Sequence, residues 1–475
     1  MKIHQRLNDM NGNRFLLLGV IVTIWGCTLA PTYTRPAAPI PDAWPSGPAY
    51  KQAASSSPAV VADIKWEDFI VSEPLRKIIG MALANNRDLK VAALNIERAR
   101  ALYGIQRAEL LPVVNASASG GKERVPGILS GNGQPVTTEI YNVNLGISSW
   151  ELDFFGRIRS LKDQALEQYL ATEQARRSSQ IALITGIVST YLTFAADREN
   201  LKLARSTLET QQATYEMIKR RFEVGVSSEL DLRQAQTRLE SARVDIAKYT
   251  GQTALDENAL RLLVGSTVPT ELLPGELTEV AMLQGNIAGI PSEMLLRRPD
   301  ILQAENQLKA ANANIGAARA AFFPSITLTT SIGTSSDQLS GLFKAGSDSW
   351  SFLPQITIPI FDARIWSAYD VIKAERDISL VQYEKAIQTA FREVADALAQ
   401  RGTLDDQIEA QQLLVNASAE SYRLSDARYT RGIDSYLSVL DAQRSLYGAQ
   451  QGLISIRLAR LVNLVTLYKV LGGGA

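Results

Sequence analysis

The side chains best suited to chemistry are nearly absent from this sequence. Its 475 residues include one His, at position 4, and one Cys, at position 27. That excludes an imidazole general base, a Cys/His zinc site, Ser-His or Cys-His nucleophiles and an intrachain disulfide. Carboxylates acting alone are the one catalytic class composition leaves open, so the expectation is no enzyme, no catalytic residue and no metal. Charge collects instead on a phrase that occurs twice, "RFEVGVSSELDLRQAQTRL" from Arg221 and "RYTRGIDSYLSVLDAQRSL" from Arg428. In the second copy Leu437, Asp441 and Arg444 are four and three residues apart. On a helix they share a face, and Asp441 with Arg444 reads most simply as an i,i+3 surface pair.

The elements that position this phrase are duplicated as well. "NNRDLKVAALNIERARALYGIQRAELLPVVNASAS" from Asn85 matches "RRPDILQAENQLKAANANIGAARAAFFPSITLTTS" from Arg297 at a separation of 212, Phe155 matches Phe361 at 206, and Gly225 matches Gly432 at 207. Each half begins with a helix, Asp88 to Leu110 or Asp300 to Ala321, stopped by Pro112 or Pro324. Two strands with period-two alternation follow, 112–121 and 138–151 in one half, 324–333 and 350–360 in the other. Long Gly, Ser, Pro and Asp-rich loops join them, and aromatic residues such as Tyr141, Trp150, Phe323 and Trp350 gather at the strand ends, as in membrane girdles. A long Pro-free helix comes next, Arg157 to Phe222 or Arg364 to Tyr429, reaching about 100 Å. The repeated phrase then turns the chain into a return helix, Glu229 to Val264 or Ser435 to Leu471, where Leu440, Tyr447, Ile454, Leu461 and Tyr468 keep a heptad that lays helices side by side.

The resulting division is 1–26, an export signal; 27–65, a Pro- and Ala-rich tether; 66–84, 265–296 and 472–475, an intermediate region; and the repeats 85–264 and 297–471. "TIWGC" resembles a bacterial lipoprotein cleavage box, which implies a lipid, N-acyl and S-diacylglycerol, on Cys27; an ordinary signal peptide with a buried Cys is the other reading. Without residues 1–26, 46 basic residues stand against 48 acidic ones, so no basic field for nucleic acid exists. Four amphipathic strands cannot close a barrel, and open edges cannot face lipid. Three chains would supply twelve strands, an even number of the kind barrels use. The fold class is therefore mixed α and transmembrane β, with a homotrimer forming a 12-stranded outer-membrane barrel and a helical barrel of coils.

"LLRRPDILQAENQLKAANANIGAARAAFFPSITL" from Leu295, "SSWELDFFGRIRSLKDQALEQYLATEQA" from Ser148 and "VQYEKAIQTAF" from Val381 closely resemble the TolC-type outer-membrane efflux proteins, on their OprM-like lipoprotein branch. The resemblance implies a passive, lipid-anchored exit duct of a tripartite multidrug pump. Its partners would be a periplasmic membrane-fusion adaptor protein, an inner-membrane resistance-nodulation-division transporter and outer-membrane lipid. It also implies a periplasmic gate at Leu437, Asp441 and Arg444, braced by Asp231 with Tyr429 and Arg431. Adaptor contacts would fall on the tips, Gly225, Val226, Ser227, Ser228, Gly432, Ile433, Asp434 and Ser435. A lipid-anchored coiled-coil scaffold, or the same channel serving type I secretion or metal-ion export, are the alternatives. No phosphate loop of the form GxxxxGK[ST] is present, so transport energy would come from the partner.

Overall fold

A computed structural model describes residues 28–50, 65–131, 133–277, 280 and 292–473. Cys27 lies outside them. The elements in chain order are α1 (Trp66–Phe69), α2 (Glu73–Asn85), α3 (Arg87–Ala108), β1 (Val114–Val125), β2 (Val136–Glu151), α4 (Arg157–Glu223), α5 (Glu229–Val264), α6 (Pro299–Ala320), β3 (Ser325–Ser336), β4 (Asp348–Thr357), α7 (Ala363–Thr430) and α8 (Tyr436–Val470). They fall into two compact units. One comprises the described residues of Met1–Ala37, Ile96–Thr172 and Ala304–Tyr383; the other those of Ala38–Asn95, Glu173–Gln303 and Glu384–Ala475.

The first unit contains one antiparallel sheet in the order β1-β2-β3-β4. Its register alternates whole rows. Ala116, Leu145, Ile332 and Trp350 are paired neighbours across the sheet, and the adjacent row is Ser117, Asn144, Gly333 and Ser349. Paired residues share a face, so one face is apolar and the other polar. The apolar row is open to its surroundings, with Trp350 78% and Ile332 67% exposed.

Strand ends differ from the expectation: β1 begins at Val114, β2 at Val136 and β4 at Asp348, and β3 runs on to Ser336. β1 continues beyond residue 121, because Lys122 is paired in register, and as an ion pair, with Glu139; the polar, Gly-rich sequence there hides a strand whose cross-strand charges match. β4 stops at Thr357, short of 360, because Thr357 pairs with Ser325 and the residue before that is Pro324. Proline has no N–H to extend the ladder, and Pro359 adds a second break. Between β2 and β3 a bulge falls between Ile147 and Trp150, where Ser149 takes φ 51°.

An extended strap, residues 28–37, runs along α6 in the same unit. Asn312 Nδ2 donates to the Pro31 carbonyl at 2.8 Å and Arg319 Nη1 to that of Leu29 at 3.2 Å. Arg35 forks onto Glu305, at 3.0 and 2.5 Å. Tyr33 Oη donates to the same carboxylate at 3.3 Å and Lys309 closes on it at 3.3 Å. Glu305 is buried, 3% exposed, so these partners are what make its charge tolerable there.

In the second unit the two repeats close in the same way. Asn86 accepts from Leu89 N at 2.8 Å, capping α3, and donates to the Leu263 carbonyl at 2.8 Å. At the matching position of the other repeat Arg298 donates to the Val470 carbonyl at 2.8 Å, held by Asp300 and Glu393. The α4 stretch around Ile184, Ile187, Leu192 and Ala195 is apolar enough to cross a bilayer, yet most of it is buried as core. Along α8, Leu440, Ile454 and Tyr468 are buried on the heptad seam, with Tyr447 and Leu461 half-buried. Asn463 and Gln411 tie α7 to α8 through the carbonyls of Ala397 and Ala449, each at 2.9 Å.

Candidate functional site at the hairpin tips

Both repeated phrases end a long helix with the same backbone device. Gly225 N bonds the Phe222 carbonyl at 2.9 Å and Val226 N that of Arg221 at 2.8 Å; Gly432 N and Ile433 N repeat this onto Tyr429 and Arg428 at 2.8 and 2.9 Å. These paired bonds form a Schellman motif, which needs a left-handed residue. Gly225 at φ 78° and Gly432 at φ 72° supply it.

The start of each return helix differs. In the first tip Ser228 caps α5 by accepting from Asp231 N at 3.1 Å, and Asp231 Oδ2 accepts from Ser228 N at 3.1 Å, Ser228 Oγ at 2.8 Å and Ser227 Oγ at 3.2 Å. This is a capping box with Asp in the acidic position. In the second tip Ser435 occupies the cap without a side-chain bond, and Ser438 stands where Asp231 does. There Arg428 reaches across the turn onto Asp434, at 2.5 and 2.9 Å.

Under the tips Ile218, Ala235, Tyr429, Tyr436, Val439 and Leu440 form one buried cluster, to which all four long helices contribute. Tyr429 and Tyr436 lie 5.3 Å apart, and the Arg221 guanidinium sits 5.2 Å over the Tyr429 ring. Burial pushes the Tyr436 hydroxyl well above the usual phenol range.

The nominated residues divide accordingly. Leu437, Asp441 and Arg444 lie together on the exposed face of α8, away from that cluster, with Asp441 and Arg444 paired at 3.2 Å. Asp231, Tyr429 and Arg431 are not brought together within one chain. Asp231 serves its own helix cap, Tyr429 is buried under Arg221, and Arg431 is exposed. Val226, Ser228, Ile433 and Ser435 are exposed, Ser227 and Asp434 half-buried. Sequence reasoning missed the Arg428–Asp434 bridge and Arg221; "SSELD" carried the signal of the capping box.

Farther along the first hairpin, Asp197 of α4 and Asp256 of α5 face each other. Burial and then the Asp197 charge lift Asp256 to about 6, and burial lifts Asp197 too, opposed by Asp256, Lys248 and Asn200.

Amphipathic strands joined to long coiled hairpins define a membrane channel protein of mixed helix and strand. The chain belongs to the outer membrane efflux protein family, which it matches over residues 78–266 and 290–473. It is 48% identical over 462 residues to the antibiotic efflux pump outer membrane protein ArpC of Pseudomonas putida, and equally to the toluene efflux pump outer membrane protein TtgC of that species; each alignment covers 96% of this chain and 95% of the relative. A crystal structure of a membrane protein from Pseudomonas aeruginosa superposes with a TM-score of 0.89 at 42% identity, covering 94% of this chain and 98% of that one. The protein is thus an outer-membrane efflux component, from a family of channel and transport proteins.

Proposed function

We propose that three copies of this chain form a passive duct, a 12-stranded barrel continued by a barrel of helical coils. Through it a partner pump exports toxic organic compounds, antibiotics among them. The observation that carries this reading is the sheet. It exposes an apolar face, as lipid requires, while β1 and β4 each leave an edge that only further strands can satisfy. The names of ArpC and TtgC support the substrate class, and the family supports an adaptor protein and an inner-membrane resistance-nodulation-division transporter as partners.

Cys27 is the anchor in this reading. The strap supports it: Thr28 Oγ1 lies 3.3 Å from Ser160 Oγ, and Leu29 is held by Arg319, close to where α6 leads into β3. The gate is Leu437, Asp441 and Arg444. Three exposed copies around an axis set an apolar ring beside a ring of carboxylates whose repulsion Arg444 tempers. The exposed tip residues, Val226 and Ile433 foremost, are offered to the adaptor.

The test is a deletion strain challenged with toluene and several antibiotics, together with conductance of the purified protein in planar bilayers. Sensitisation restored by the gene, and discrete channel openings, are expected. Unchanged susceptibility with no conductance would overturn the proposal in favour of a scaffold.

A further inference from the structure

In the first unit a cavity of about 230 Å³ lies at the foot of the sheet, where β2 leads into α4, α6 into β3 and β4 into α7. The strand register decides which side of the sheet it opens on. Its strand residues are Glu151, Ser325 and Thr357. Ser325 pairs with Thr357 and Glu151 with Thr327, and Ser325 and Thr327 lie an even number of residues from Gly333 along β3. All of them therefore share the polar face of Gly333, which in the duct reading is the face turned to the lumen.

Much of the remaining lining is apolar. Phe155 and Phe323 stack there with centroids 4.9 Å apart and 23° between their planes, beside Pro324, Pro359 and Ile365. Phe323 is still 42% exposed, so ring surface remains uncovered. The charged groups, by contrast, are already satisfied. Both Glu151 oxygens accept from Arg157, at 2.9 and 2.7 Å. Asp153 accepts from the backbone N–H groups of Ile158 and Arg159 at 3.1 and 2.9 Å, and from Arg159 Nε at 3.1 Å. Among the described residues, no side chain lining the cavity holds a buried nitrogen or oxygen without a partner. An ionic ligand would have to break one of these bridges, whereas a neutral apolar ligand leaves them whole. Volume narrows the choice further: a cavity of about 150 Å³ is enough for benzene, and sites for drug-sized molecules start near about 300 Å³.

We propose that this cavity is a transit subsite for neutral single-ring aromatic compounds, which seat against the Phe155–Phe323 pair on the lumen side of the sheet. This rests on the duct reading above and adds a place in the duct and a size and charge class of cargo. Stacking on an aromatic pair contributes modestly beyond the area it buries. Binding is therefore weak and brief, which passage through a channel requires. The duplication does not repeat the pair, because Leu111 stands where Phe323 does, and Thr357 and Ala363 replace Glu151 and Arg157.

The experiment uses the full chain, purified as its native oligomer into lipid nanodiscs, with para-fluorobenzyl alcohol as the probe and its fluorine NMR line width as the readout. Empty nanodiscs supply the background from partition into lipid. The wild-type protein should broaden the line beyond that background, and added toluene should reverse the broadening. Phe323→Ala should weaken binding about fivefold, the loss of one ring contact. Ala321→Phe, at an exposed position of the lining, should fill the cavity and abolish binding. Native oligomer size is checked for each variant, and Ala321→Leu serves as the filler if the larger ring disturbs assembly. The para-fluorobenzylammonium and para-fluorobenzoate ions should broaden little. Equal broadening in wild type and all variants, or ions that bind as well as the alcohol, overturns the subsite. Conductance of the wild-type preparation separates the two readings: channel openings without cavity-dependent broadening overturn the subsite and leave the duct intact. A wild-type protein that neither conducts nor restores tolerance to a deletion strain overturns both.

Discussion

Replacing Asp256 by Asn should stabilise the first hairpin at neutral pH and do little in acid. The two carboxylates of Asp197 and Asp256 can hydrogen-bond each other only by sharing a proton, and Asp256 Oδ2 is buried without a donor among the described residues. A folded-state pKa of about 6, against 3.8 when exposed, is a rise of about two units, roughly 3 kcal/mol for a fully enclosed group at about 1.4 kcal/mol per unit. Both groups are partly open to water, and screening reduces this to about 1–2 kcal/mol. The sign follows from linkage: between 3.8 and about 6 the folded state binds more protons than the open one, so stability falls as pH rises through that window. The second repeat has already removed the problem, with Leu404 and Asn463 at the equivalent positions and Asn463 Nδ2 donating to Ala397 and Gln400. Backbone hydrogen exchange around residue 256, compared between variant and wild type at pH 7.5 and 4.5, reads the effect directly. Protection at pH 7.5 should increase about fivefold to thirtyfold, equivalent to 1–2 kcal/mol of local opening, and the gain should shrink at pH 4.5. An equal effect at both pH values, or a loss at pH 7.5, would refute the shared-proton account.

Other substitutions probe the strap and the tips. Arg35→Ala removes the fork from a buried carboxylate; since Arg35 is itself 47% exposed, the cost should be about 1–3 kcal/mol, seen as faster proteolysis within residues 28–50. Ser228→Ala should cost about 1 kcal/mol and speed exchange in the first turn of α5, whereas Ser435→Ala, whose hydroxyl makes no cap bond, should be nearly silent in α8. Asp441→Ala should leave hairpin stability within about 0.5 kcal/mol, because its pair with Arg444 is exposed. It should nevertheless raise closed-state conductance, and an unchanged conductance argues against the gate.

What could be read from the sequence was whatever repeats or alternates locally. The two helix stops at Pro112 and Pro324, the tip glycines and the heptad of α8 follow from backbone chemistry within a few residues. Strand ends were less legible, because Lys122 extends β1 only through a partner, Glu139, whose position depends on register. The Arg35–Glu305 clamp joins residues 270 apart, and Asp197 meets Asp256 from helices running in opposite directions. Neither leaves a periodic trace. Asp231 illustrates a third limit. Its spacing from Ser228 spelled a helix cap, and within one chain its Oδ2 serves that cap while Tyr429 lies under Arg221.

Duplication alone would make both hairpins equal, and a chain of equal halves cannot distinguish a junction inside itself from one with its neighbour. The differences lie where that distinction matters. Glu305, Asn312 and Arg319 bind the strap at the internal junction, while α3 keeps the arginine as Arg107 but has lost the other two anchors. Polar clamps suit the junction formed once, during folding, since a buried carboxylate is safe only when its partners are covalently guaranteed to arrive. Leu111 and Phe361, at the positions matching Phe323 and Phe155, are left exposed. The tips follow the same division: the first is closed by its own capping box, and the second leaves Leu437, Asp441 and Arg444 uncommitted to the cluster beneath them.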